Sequence, residues 1–162
     1  MKKKLRSIIS ASILSLIPLS SSALELQEQL TPELIKTLGI DPNKITLIDF
    51  FASWCVSCRI ELPQISALIP QLDNNQFEVI GINVDEELSE GQEYIDSFAQ
   101  KGGLNFRVVM DPEQQMIEIF EPLGMPALYY IQNGKIEIMH LGAMPNIDDV
   151  IVSDISKLGY QQ

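Results

Sequence analysis

Cys55 and Cys58 are the only cysteines in a chain of 162 residues, and two residues stand between them. A pair at this spacing can close one disulfide and reopen it by thiolate attack, which is thiol-disulfide exchange. As a staple the bridge would be poor, because the entropy removed from the unfolded chain grows with the loop that is closed, and this loop is almost nothing. As half of a zinc site the pair lacks two ligands, and the chain offers one histidine, His140, and no further cysteine. Reactivity explains the spacing better than a structural disulfide does, and far better than zinc.

Reactivity depends on where the chain puts the pair. Ile45 to Ala52 is a run of β-branched, aliphatic and aromatic residues interrupted by one polar residue, Asp49, and reads as a strand buried in a covered sheet. After Ser53-Trp54-Cys55-Val56-Ser57-Cys58 comes a helical pattern with Ile60, Leu62, Ile65, Leu68 and Leu72 at its apolar positions and a break at Pro63. The cysteines therefore fall where a strand turns into a helix. At the first turn of a helix, unpaired backbone N–H groups and the positive end of the macrodipole stabilise a thiolate, which makes Cys55 the nucleophile. Cys58, one turn later on the same face, is placed to attack a mixed disulfide and release the partner.

The remaining elements alternate in the same way. A helix from Thr31 to Leu38 is opened by a capping Thr31 with Pro32 behind it and closed by Gly39. A second buried strand, Phe77 to Val84, precedes an acidic loop and a helix from about Ser89 to Gln100 with Tyr94, Ile95 and Phe98 inward. Arg107 to Met110 reads as a third strand, and Asp111-Pro112 as the capped start of a helix carrying Met116, Ile117, Ile119 and Phe120. Gly124-Met125-Pro126 leads into two strands joined by Asn133-Gly134, the strongest short hairpin signal. A last helix, Asn146 to Leu158, is capped by Asn146 and stopped by Gly159. The pattern is α/β, one domain spanning residues 24–162, with no internal repeat.

Residues 1–23 have the three parts of a secretory signal peptide: Lys2, Lys3, Lys4 and Arg6, an apolar stretch from Ile8 to Leu19, and the small-residue tract Ser20 to Ala23. Cleavage after Ala23 is expected, which places the protein outside the cytoplasm. A retained membrane anchor is the rival reading, weakened by seven serines between Ser7 and Leu24 and by Pro18. Removing the segment takes away four positive charges and no negative ones, so the formal net charge falls from -11 to -15. A surface of that sign repels phosphate backbones and anionic headgroups, which argues against nucleic-acid binding and peripheral membrane binding.

Taken in order, Leu47 to Phe51 running into Trp54-Cys55-Val56-Ser57-Cys58, then Arg59-Ile60-Glu61-Leu62-Pro63, then Ile82-Asn83-Val84-Asp85, then Gly124-Met125-Pro126, the chain resembles the exported TlpA/ResA-like thiol:disulfide oxidoreductases of the thioredoxin-like superfamily. The resemblance covers nearly all of residues 24–162 and implies a thioredoxin-like fold, a central mixed sheet flanked by helices with an inserted helix and strand at residues 89–110. It implies that Pro126 is a cis proline facing the cysteines, that Met125 offers its backbone to an extended substrate, and that Trp54 shields one side of the site. It also implies a bacterial periplasm or cell envelope, protein thiol or disulfide substrates, an upstream thiol protein as electron donor, and no organic cofactor or metal.

Two carboxylates are candidate proton handlers, because exchange requires Cys58 to lose its proton. Asp49 lies in an apolar strand, where its pKa should rise, and Glu61 is three residues after Cys58 on the same helical face. Asp49 matches the buried acid of thioredoxins proper and Glu61 that of the TlpA/ResA-like group. His140 reads as a satisfied surface imidazole. Val56 and Ser57, with no histidine between the cysteines, lean toward a reductant. The leading function is an envelope disulfide reductase of the kind employed in cytochrome c maturation. The alternatives are an oxidase or isomerase of exported proteins and a non-catalytic binding module.

Overall fold

The computed structural model describes residues 24–99 and 102–161. The expected signal segment, 1–23, lies outside the described residues, as does Gln100 at the expected end of one helix. The elements are α1 (Pro32–Leu38), β1 (Ile45–Phe51), α2 (Cys58–Leu68), β2 (Phe77–Asn83), α3 (Leu88–Asp96), β3 (Arg107–Met110), α4 (Gln115–Phe120), β4 (Ala127–Gln132), β5 (Lys135–Leu141) and α5 (Ile147–Lys157), with a turn of 3-10 helix at Ile69–Gln71 extending α2.

The strands form one mixed sheet in the order β3-β2-β1-β4-β5. β1 runs parallel to β2 and β2 to β3, while β4 is antiparallel to β1 and β5. β1 is the middle strand, and every one of its residues is buried. Its side chains alternate between two layers. Ile48 and Phe50 pack with Leu34 and Leu38 of α1, Phe120 of α4 and Tyr129 of β4. Ile45 and Leu47 face the other way, onto Ile65 and Leu68 of α2 and Ile151 and Ile155 of α5. Phe51 joins Leu62 of α2 and Tyr94 of α3 around the cysteines. Burying such side chains stabilises by about 1.5–3 kcal/mol each. Five in one strand outweigh the cost of about 1–3 kcal/mol for a buried, unsatisfied polar group such as Asp49.

Local signals set several element ends. The Thr31 hydroxyl accepts from the Leu34 N–H at 3.1 Å, and Gly39 ends α1 in the left-handed region at φ 61°. Asn133 and Gly134 both have positive φ, 52° and 74°, the turn that the tight hairpin between β4 and β5 requires.

Four expectations are corrected. α2 is continuous through Pro63, because a single proline removes one backbone bond while Leu62, Ile65 and Ser66 remain buried against the sheet. Ile60, expected on the apolar face, is 63% exposed beside the cysteines. α4 begins at Gln115 rather than at Pro112; Asp111 still caps it, accepting from the N–H groups of Gln115 and Met116 at 2.9 and 2.8 Å across an intervening turn. Asn146 precedes α5 at φ 55° and makes no side-chain cap, its role being to turn the chain.

Gly81, opposite Asp49 on β2, leaves the space that Phe51 fills: a β-carbon there would lie 2.8 Å from the Phe51 ring and 2.9 Å from that of Phe106. Gly81→Ala is expected to lower stability by about 1–3 kcal/mol in urea unfolding, through displacement of those rings.

Candidate active site

The strand that is buried on both faces ends at Phe51, and the chain must then reach the surface to present sulfur. Ala52 and Ser53 make that exit. The Val84 N–H donates to the Phe51 carbonyl at 3.0 Å and the Cys55 N–H to the Ala52 carbonyl at 3.1 Å. Ser53 is held from both sides. Its N–H and hydroxyl donate to the buried carboxylate of Asp85 at 2.9 and 2.7 Å, and its carbonyl accepts from the Arg59 guanidinium. Asn83 at the end of β2 donates to Asp85 at 2.7 Å, fixing that carboxylate in turn. Arg59 also lies over the Tyr94 ring at 5.1 Å. Sequence reasoning assigned no role to Asp85 or Arg59; the signal was an acid directly after a buried strand.

Cys55 and Cys58 are joined in a disulfide with their Cα atoms 5.3 Å apart. Cys58 opens α2, and its backbone N–H donates to the Cys55 sulfur at 3.2 Å. Both cysteines are buried, Cys58 the more deeply. Trp54 and Val56 are exposed at 61% and 73% and, with Ile60, form an apolar rim at the mouth.

Asp49 and Glu61 lie close enough to interact on the α2 side of β1, Met125 packs against clusters on both faces of the sheet, and His140 stands opposite Leu128 on β5. Asp49 shares the face of β1 that carries Phe51, and is buried with Oδ1 unpartnered among the described residues. Glu61 is buried on the inner face of α2; its Oε1 accepts from the Met144 N–H at 2.7 Å and its Oε2 has no partner among the described residues. Burial, and then the negative field of Glu61, hold the Asp49 carboxyl well above the usual carboxylate range. Burial also raises Glu61, against the opposing pull of the Met144 N–H.

The Met125-Pro126 peptide bond is cis, and Met125 packs against the cluster containing both cysteines. Pro126 immediately precedes Ala127, which pairs with Phe50, so the sheet carries this loop alongside the end of β1. His140 Nε2 and Asp154 Oδ2 are 2.6 Å apart, and Lys157 donates to the same buried carboxylate. Among the described residues, no group of three or more His, Cys, Asp or Glu is placed to hold a metal, and no helix is long and apolar enough to cross a membrane.

A sequence model described as the AhpC/TSA family matches residues 25–139. The chain belongs to the AhpC/TSA family. Proteins similar to it include thiol-disulfide oxidoreductase ResA of Geobacillus thermodenitrificans, 27% identical over 107 residues, covering 65% of this chain and 59% of that protein. Thiol:disulfide interchange protein HelX of Rhodobacter capsulatus is 30% identical over 116 residues, 72% of this chain and 61% of HelX. This AhpC/TSA chain therefore matches about three fifths of the length of these relatives. A Chlorobium tepidum structure, assigned as thiol:disulfide interchange protein DsbE, superposes with a TM-score of 0.68 at 23% identity, over 83% of this chain and 98% of that one. That likeness establishes the thioredoxin-like fold.

Asp49 supplies a signed test. A buried acid with a raised pKa favours the fold while neutral; that contribution is complete below the unfolded value near 3.8 and is lost as pH rises through the folded value. Asp49→Asn, which cannot ionise, is expected to raise the melting temperature relative to the parent at pH 8 and to leave it close to the parent at pH 3, read by circular dichroism.

Proposed function

We propose that this protein is an exported thiol:disulfide oxidoreductase acting as a disulfide reductase. The observation that carries the reading is the disulfide at the head of α2, with the Cys58 N–H on the Cys55 sulfur and the cis Met125-Pro126 bond packed in beside it. In this reading, reduced Cys55 attacks a substrate disulfide, forming a mixed disulfide and expelling one substrate thiolate. Cys58 then attacks Cys55, reforms the protein disulfide and releases the second thiolate, so two electrons pass from the pair to the substrate. The one proton of Cys58 passes to the buried carboxyl pair of Asp49 and Glu61. Trp54 and Met125 contact the substrate, whose extended backbone lies along Met125-Pro126 by strand addition.

Residues 1–23 direct export to a bacterial periplasm or envelope and are removed after Ala23. An upstream thiol protein returns the pair to the dithiol. The names carried by ResA and HelX support exchange chemistry, and the resemblance to the TlpA/ResA-like group supports employment in cytochrome c maturation.

The test is equilibration of the pair against glutathione and dithiothreitol, with Cys58→Ser used to trap mixed disulfides. A potential near or below roughly -270 mV is expected, with a trapped adduct on Cys55. A potential above about -180 mV would replace the reductase by an oxidase or isomerase. A folded wild-type protein whose pair resists dithiothreitol, and a Cys55 that traps nothing, would leave only a binding module.

A further inference from the structure

We propose that the Tyr94 hydroxyl is the hydrogen-bond donor to the Cys58 sulfur once the disulfide is open, and that it stabilises the Cys58 thiolate that resolves a mixed disulfide. The inference rests on the exchange reading above and assigns a role to a residue on α3, the inserted helix.

The first N–H groups of α2 do not serve Cys58: its own goes to the Cys55 sulfur, that of Arg59 to the Cys55 carbonyl, and those of Ile60 and Glu61 to the Ser57 carbonyl. Cys55 thus has a built-in donor, and Cys58 has none from its helix. Cys58 sits 1% exposed in a cluster of Phe51, Leu62, Phe98, Cys55 and Tyr94. The charged groups packed around that cluster supply no permanent donor. Asp49 from β1 and Glu61 from α2 are the acids that handle the Cys58 proton and donate only while protonated, Asp85 after β2 accepts from Ser53 and Asn83, and the Arg59 guanidinium is engaged by the Ser53 carbonyl. A thiolate formed there would be destabilised by burial and by its acidic neighbours.

Tyr94 supplies what is missing. It is 6% exposed, its ring lies edge-on to Phe98 at 5.2 Å and tilted against Phe51 at 6.0 Å, and its hydroxyl is buried without a hydrogen-bond partner among the described residues. Tyr130, the other buried phenol without a partner, packs in a separate cluster with Leu47, Leu128 and α5. Burial keeps the Tyr94 phenol protonated, its pKa pushed up to about 12, so it stays a donor at working pH. A buried donor left unpaired is costly in the oxidised protein. Reduction creates an acceptor for it.

In the step concerned, the Cys58 thiol gives its proton to a carboxylate and its sulfur attacks Cys55. The Cys55-Cys58 bond forms, the bond from Cys55 to the substrate sulfur breaks, and the substrate leaves as a thiolate. Tyr94 keeps its proton throughout and lowers the energy of the attacking anion before the bond forms.

The experiment is Tyr94→Phe in the protein carrying a Cys55-glutathione mixed disulfide, with release of glutathione followed against pH. The expected result is release about tenfold slower at pH 7, with the pH midpoint shifted upward. Urea unfolding should show the oxidised variant as stable as the parent or more so, and the reduced variant less stable. A 3-fluorotyrosine at position 94, a stronger donor of nearly the same shape, should move the midpoint downward. An unchanged midpoint, with oxidised and reduced forms shifted equally, would make Tyr94 a packing residue and overturn this inference alone. A wild-type pair that dithiothreitol cannot open would overturn the exchange reading and this inference with it.

Discussion

The Cys58 N–H points at the Cys55 sulfur from 3.2 Å, at the start of a helix whose other early N–H groups are already spoken for. That contact gives two chemically identical cysteines different environments, and the rest of the site follows from the difference. Cys55 has a backbone donor and an apolar mouth formed by Trp54, Val56 and Ile60. Cys58 faces inward, toward the layer that holds Asp49, Glu61 and Tyr94. Attack from outside suits the first, and resolution from within suits the second.

Keeping that contact in place is a problem of anchoring a short loop at the edge of a buried sheet. β1, fully buried, provides a fixed end at Phe51. Asp85, arriving from the neighbouring parallel strand, and Arg59, arriving from the helix that follows, then hold Ser53 by its N–H, hydroxyl and carbonyl. β4 brings the cis Met125-Pro126 bond to the other side. The loop is positioned by three strands and a helix, and the strands meet there because the strand order places β2 and β4 on either side of β1.

Much of this was legible in the sequence where the determining contacts are local. Thr31 with Gly39, the Asn133-Gly134 pair and the apolar runs of β1 and β2 specify their structures within a few residues. So does the placing of two cysteines between a strand and a helix. The burial of Asp49 was legible too, from one polar residue in an apolar strand, and so was the placing of Glu61 on the helical face of Cys58. What escaped was long-range. Asp85 reaches Ser53 across 32 residues and Glu61 reaches Met144 across 83, and no periodicity announces either bond. Pro63 was expected to break α2, yet packing of the helix's inner face overrides the local preference. Tyr94 was expected inward; that its hydroxyl would arrive there without a partner is a fact of packing alone.

The asymmetry of the two sulfurs is the central claim, and thiolate absorbance at 240 nm in the reduced protein tests it most directly. Each cysteine is titrated separately, with the other replaced by serine. The account predicts that Cys55 ionises well below the ordinary thiol value of about 8.5 and that Cys58 ionises above Cys55. A Cys55 that titrates at or above about 8.5, or a Cys58 that ionises first, would contradict it.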